Sequence, residues 1–146
     1  VGQNGTLVKT ATAAGRNVLE ALEQEHPARS LSRLSDSPGA VRLLRELFTV
    51  AVRRSFVGRD PRDVTGYVRD LLEYQSLPTD GALAREAEAV IRSAVGEPDL
   101  AYRIPDLRRF ELICYVVGDL VRPPGIPPAH LADLVEQAEH RVERSS

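Results

Sequence analysis

The chain has 146 residues, 42% hydrophobic and 27% charged, with a formal net charge of −2, the balance of a globular protein long enough to bury one core. Its single cysteine rules out an internal disulfide, and with it a disulfide-built secreted scaffold. No apolar run approaches the ~18 residues of a transmembrane helix, and VGQNGTLVKTATAAG lacks the apolar core of a cleavable signal peptide, so a cytoplasmic protein without membrane association is expected.

Taken in order, the first helix is expected from Leu7 to about Glu25. Its apolar positions are Leu7, Val8, Ala11, Ala14, Val18, Ala21 and Leu22, and Pro27 stops it. Residues 27–37, PARSLSRLSDS, read as a Ser/Arg-rich linker. Ser30, Ser32 and Ser35 stand near Arg29 and Arg33, an arrangement in which a phosphate could pair with arginine. Ser37-Pro38 is a helix start, and the helix to about Phe56 turns Val41, Leu44, Leu47, Phe48, Ala51 and Val52 inward. Gly58 ends it. Asp60-Pro61 opens the next helix, running to about Gln75 on Val64, Tyr67, Val68, Leu71 and Leu72.

Thr79 or Asp80 is expected to cap a fourth helix with Leu83, Ala87, Val90, Ile91 and Ala94 inward, ended by Gly96 and Pro98. PDLAYRI holds at most a short helical turn. The stretch 105–121, PDLRRFELICYVVGDLV, is apolar almost all round between Leu112 and Val117, so it is expected to be a central helix covered on several sides. Prolines 123–128 then break the chain. Their PxxP spacing is more simply a stop and a start than a groove-binding motif. The last helix, about Pro128 to Arg144, turns Leu131, Leu134, Val135, Ala138 and Val142 inward and Asp133, Glu136, Glu139 and Glu143 outward. No strand is expected. The fold class is all-α: one domain over 1–146, a bundle of about six helices. Arg54–Gly58 resembles Arg92–Gly96, and each precedes a helix with a Tyr-Val pair, the pattern of a diverged helical-hairpin duplication or of ordinary helix punctuation.

Charge is distributed unevenly. Residues 27–69 hold nine basic and four acidic side chains, whereas residues 70–146 hold eight basic and fourteen acidic. Arg42, Arg45 and Arg53 share a stripe, since positions 42 and 53 differ by only about 20° around a helix. Arg54, Arg59 and Arg62 extend the basic region, and all six are the candidate binding residues. Glu136, Glu139 and Glu143 are candidate complements, within the molecule or on a second copy.

Known chemical signatures are missing. There is no G-x-S-x-G, G-x-G-x-x-G, HExxH or P-loop, so no cofactor, metal or catalytic set is assigned. His130 and His140 are about 80° apart on a helix and cannot form an i, i+4 ligand pair, and His140 reads as a surface partner of Glu136. Cys114 lies in the most apolar stretch and reads as a buried small hydrophobe. Tyr67 and Tyr115 lie on apolar faces, with Asp70 and Asp119 a turn later, and are expected in the core with satisfied hydroxyls. The functional expectation is a non-enzymatic protein–protein contact or regulatory module, with self-association as a homodimer included. A nucleic-acid-binding regulator using the six arginines is disfavoured by the acidic total and the lack of a helix-turn-helix signature. A small-molecule sensor with an interhelical pocket is the third reading.

Overall fold

The computed structural model describes residues 12–121 and 128–145. The expected helix start at 7–11 and the proline break at 123–127, PxxP included, lie outside the described residues. Among the described residues seven α-helices follow one another: α1 (Ala13–Leu22), α2 (Pro27–Ser32), α3 (Pro38–Phe56), α4 (Pro61–Tyr74), α5 (Ala82–Ser93), α6 (Asp106–Leu120) and α7 (Pro128–Ser145). Short 3-10 turns cover Arg33–Asp36 and Pro98–Ala101. Among the described residues there is no strand, and the protein is all-α.

Punctuation sets most boundaries. Ser37 Oγ accepts from the Ala40 amide at 3.4 Å with Pro38 in the first turn of α3, satisfying one of the four amides a helix start leaves unpaired. Asp60 does the same for α4, accepting from the Arg62 amide at 2.8 Å. The start of α5 differs from expectation: Gly81, at φ +91°, is the capping residue, and neither Thr79 nor Asp80 supplies a side-chain cap. Only glycine tolerates that backbone cheaply.

The 27–37 segment corrects the expected linker. It is α2 followed by a 3-10 turn, and Leu31 is fully buried. It packs against α1 and, chiefly, on α6. There Gly118 lets the α2 backbone come close: a methyl at Gly118 would stand 3.0 Å from the Ala28 amide nitrogen and 3.3 Å from its Cα. Tertiary packing thus makes a helix of a segment whose Ser/Arg composition reads as loop.

The centre lies where expected. α6 buries Phe110, Leu112, Ile113, Cys114, Val116, Val117 and Gly118. It shares the middle with α3, which buries Leu43, Leu44, Leu47, Phe48, Ala51 and Val52 and packs against both α6 and α7. Buried residues from all seven helices join one core. The two segments compared above as copies, Arg54–Gly58 and Arg92–Gly96, each end on a positive-φ glycine, a likeness that helix punctuation accounts for.

Candidate interaction surfaces

The structure places all six candidate arginines in exposed positions. Arg42 and Arg45 sit on the first half of α3, and Arg53 is eleven residues beyond Arg42, ~16 Å along the helix. Arg54 is turned about 100° from Arg53. Arg62 is occupied by its neighbour, with Nη2 3.0 Å from Asp60 Oδ2 and Nε 3.3 Å from Oδ1, and this guanidinium holds the Asp60 carboxyl below its usual range. Arg53, Arg54 and Arg59 have no ion-pair partner among the described residues.

The outward acidic face of the last helix needs correction. Glu139 is 9% exposed and faces α1, accepting from the Thr12 amide at 3.2 Å and from the Thr12 hydroxyl. Thr12 in turn caps α1 through the Gly15 amide. Glu139 thus anchors the start of α1 to α7. His140 Nδ1 lies 3.5 Å from Glu143, not against Glu136. An ion pair between the two helices runs in the opposite sense to the one expected: Arg141 of α7 donates to Glu46 of α3 at 2.8 Å.

The tyrosines are joined crosswise. Tyr67 on α4 donates its hydroxyl to Asp119 of α6 at 2.7 Å, so the acid expected to serve Tyr115 serves the other tyrosine. Burial and then the Asp119 charge push the Tyr67 phenol above its ordinary range. The ring also meets Phe56 edge-on, centroids 5.2 Å apart, making this a structural tie between α3, α4 and α6.

A cleft of about 680 Å³ opens between the α1–α2 junction, the end of α4 and the outer side of α6. His26, Arg29, Ser32, Gln75, Glu111 and Tyr115 line it, with Cys114 in its wall. Burial, then Glu111, pushes the Cys114 thiol up to about 12, which leaves it almost wholly protonated near neutrality and a poor nucleophile. Among the described residues no three His, Cys, Asp or Glu side chains are grouped as a metal site would need, and no helix is long and apolar enough to cross a membrane.

The feature not singled out from the sequence is the corner where the Pro98–Ala101 turn meets α6. Leu100 is 43% exposed, Tyr102 83% and Leu107 73%, three large hydrophobes within eight residues. The corner is held by one side chain: Arg109 Nη2 donates to the carbonyls of both Ala101 and Ile104, each at 3.0 Å. The Tyr102 amide bonds the Asp99 carbonyl at 3.2 Å and the Ile104 amide the Ala101 carbonyl at 3.1 Å. Ala101 and Ile104 are buried beneath it. Leu100, Tyr102 and Leu107 therefore stand on a fixed backbone. No family model, no curated protein and no solved structure matches this chain.

Proposed function

We propose that the chain is a non-enzymatic module acting through protein–protein contact, with the Leu100–Tyr102–Leu107 corner as its contact surface. The observation that carries this reading is exposed apolar area on an ordered backbone. Burying a large side chain stabilises by about 1.5–3 kcal/mol, and leaving three in water forgoes that unless another surface covers them. Tyrosine on a pre-set backbone loses little entropy on binding and is enriched at interface hot spots. The test uses the wild-type chain and a Tyr102→Ser/Leu107→Ser variant as baits in extract from the native host, with an Arg53→Ala/Arg59→Ala variant for comparison. The reading expects a protein retained by wild type and by the arginine variant and lost from the corner variant. An unchanged set of retained proteins with the corner variant refutes it.

The nucleic-acid reading has less support. One of its six arginines, Arg62, is bound to Asp60, and the formal net charge of the chain is −2. Duplex binding at physiological salt is expected to be negligible, because a few phosphate contacts lose affinity steeply as salt rises. Tight sequence-selective binding that is lost on Arg53→Ala or Arg59→Ala would reverse that order. A small-molecule sensor has one observation in its favour, a cleft whose 680 Å³ falls within the range of ligand sites. A thermal-shift screen with a metabolite library, repeated on Tyr115→Ala, tests it.

A further inference from the structure

The corner's rim says what covers it. Asp99, Arg103 and Asp106 surround Leu100, Tyr102 and Leu107 in sequence, all three are exposed, and none has a side-chain partner among the described residues. A foreign partner of one charge is best met by a rim of the opposite charge. Here both signs alternate within eight residues, the pattern that is complementary to itself when rotated by a twofold axis. Arg108, the next basic residue, is already held by Glu86 at 3.2 Å and Glu111 at 3.6 Å, so Arg103 is the cation left to cross an interface. From these placements we infer that the corner pairs with the same corner of a second copy of this chain, apolar side chains at the centre and Arg103 of each copy against the acidic rim of the other. This rests on the reading of the corner as a contact surface.

Size sets the strength. A patch of three side chains covers on the order of a few hundred Å², short of the ~800 Å² per partner of a standard interface. The dimer is therefore a reversible one, half-formed in the micromolar to high-micromolar range, and dilution takes it apart.

Sedimentation velocity on the full chain, from about 1 μM to 1 mM, tests this. Wild type is expected to move from the 16.0 kDa monomer toward twice that mass. Tyr102→Ser and Leu107→Ser should each raise the dissociation constant about tenfold or more, as loss of a central side chain does. Both residues are exposed, so both variants fold, and circular dichroism checks that they do. A charge swap separates a defined pairing from general stickiness. Arg103→Glu gives an all-acidic rim and Asp99→Arg/Asp106→Arg an all-basic one. Each should be monomeric alone, and an equimolar mixture should form heterodimers, because the two altered rims are complementary on both sides of the axis.

A wild-type monomer at all concentrations overturns the inference. So does a dimer unchanged by Tyr102→Ser, Leu107→Ser and the charge variants, or assemblies that grow past the dimer as concentration rises. A monomeric wild type would leave the contact-surface reading to be judged by host-extract capture, so the two can fail separately.

Discussion

Gly118 and Gly66 carry the same substitution to opposite outcomes. Both lie inside helices, where replacing Gly with Ala gains about 1 kcal/mol of helix propensity. At Gly66 on α4 an added methyl meets no atom within 4 Å, so Gly66→Ala should keep that gain. At Gly118 the methyl would reach 3.0 Å from the Ala28 nitrogen and 3.3 Å from its Cα. These are backbone atoms of α2 that cannot rotate away, and relief requires shifting the whole short helix. Overpacking of this kind costs about 1–3 kcal/mol, so Gly118→Ala should lose about 1 kcal/mol net, and up to about 2 if the core does not relax. At about 2–4 °C per kcal/mol for a chain of this size, Gly66→Ala should raise Tm by a few degrees and Gly118→Ala lower it by a similar amount. Urea denaturation read by circular dichroism, with equal m-values required, gives the free energies directly. If Gly118→Ala stabilises as much as Gly66→Ala, α2 is not seated on α6, and residues 27–32 return to the solvated linker their composition suggests.

Ser76 sits at φ +57° just past the end of α4, with the Leu77 amide bonding the Leu72 carbonyl at 2.8 Å and the Ser76 amide that of Glu73 at 3.0 Å, a helix-end geometry that favours glycine. Ser76→Gly should therefore stabilise by about 1 kcal/mol, and a loss in a urea titration would contradict this. Removing Arg109 with Arg109→Ala should cost about 2 kcal/mol, the worth of its charge-assisted bonds to Ala101 and Ile104, and should speed amide exchange at 102 and 104 ahead of the core. Exchange unchanged at those two amides would show that the corner needs no clamp. Cys114 should react slowly with a thiol reagent at pH 8, since a thiol pushed up to about 12 has little thiolate there and gains it only as pH climbs toward that value. Its Cys114→Ala variant should fold with a modest packing loss, and fast labelling of the folded wild type would overturn the buried assignment.

How much of this could be read from the sequence depends on whether a signal is local. Ser37-Pro38 and Asp60-Pro61 announce α3 and α4 because capping is a matter of neighbouring residues. The apolar run at 112–117 marks α6 by itself. α2 escapes because six residues are too few to show a period, and what makes it a helix is Leu31 in the core and the space at Gly118, on a helix some ninety residues on. Glu139 could have been found: it follows Val135 by four residues, which places an acid within the apolar stripe of α7 and asks for a buried partner. Tyr67 needed a partner on sequence grounds, but its identity, Asp119, is a property of how α4 crosses α6. Leu107 is the instructive case. It precedes Phe110 by three and Cys114 by seven, a spacing that fits the core stripe, yet it is 73% exposed. A hydrophobic period marks a face that wants covering and does not say which molecule covers it.

The claim that the Leu100–Tyr102–Leu107 corner works as a contact surface is tested most directly by hydroxyl-radical footprinting of the native chain, inside its host cells and as dilute purified protein. Tyrosine and leucine both react when wet, and exposed Val57 and Tyr74 serve as internal references. The account predicts that Tyr102 and Leu107 are modified readily in the dilute protein and protected in the cell relative to Val57 and Tyr74. Equal modification in both settings would mean that nothing covers the corner, and would contradict the account.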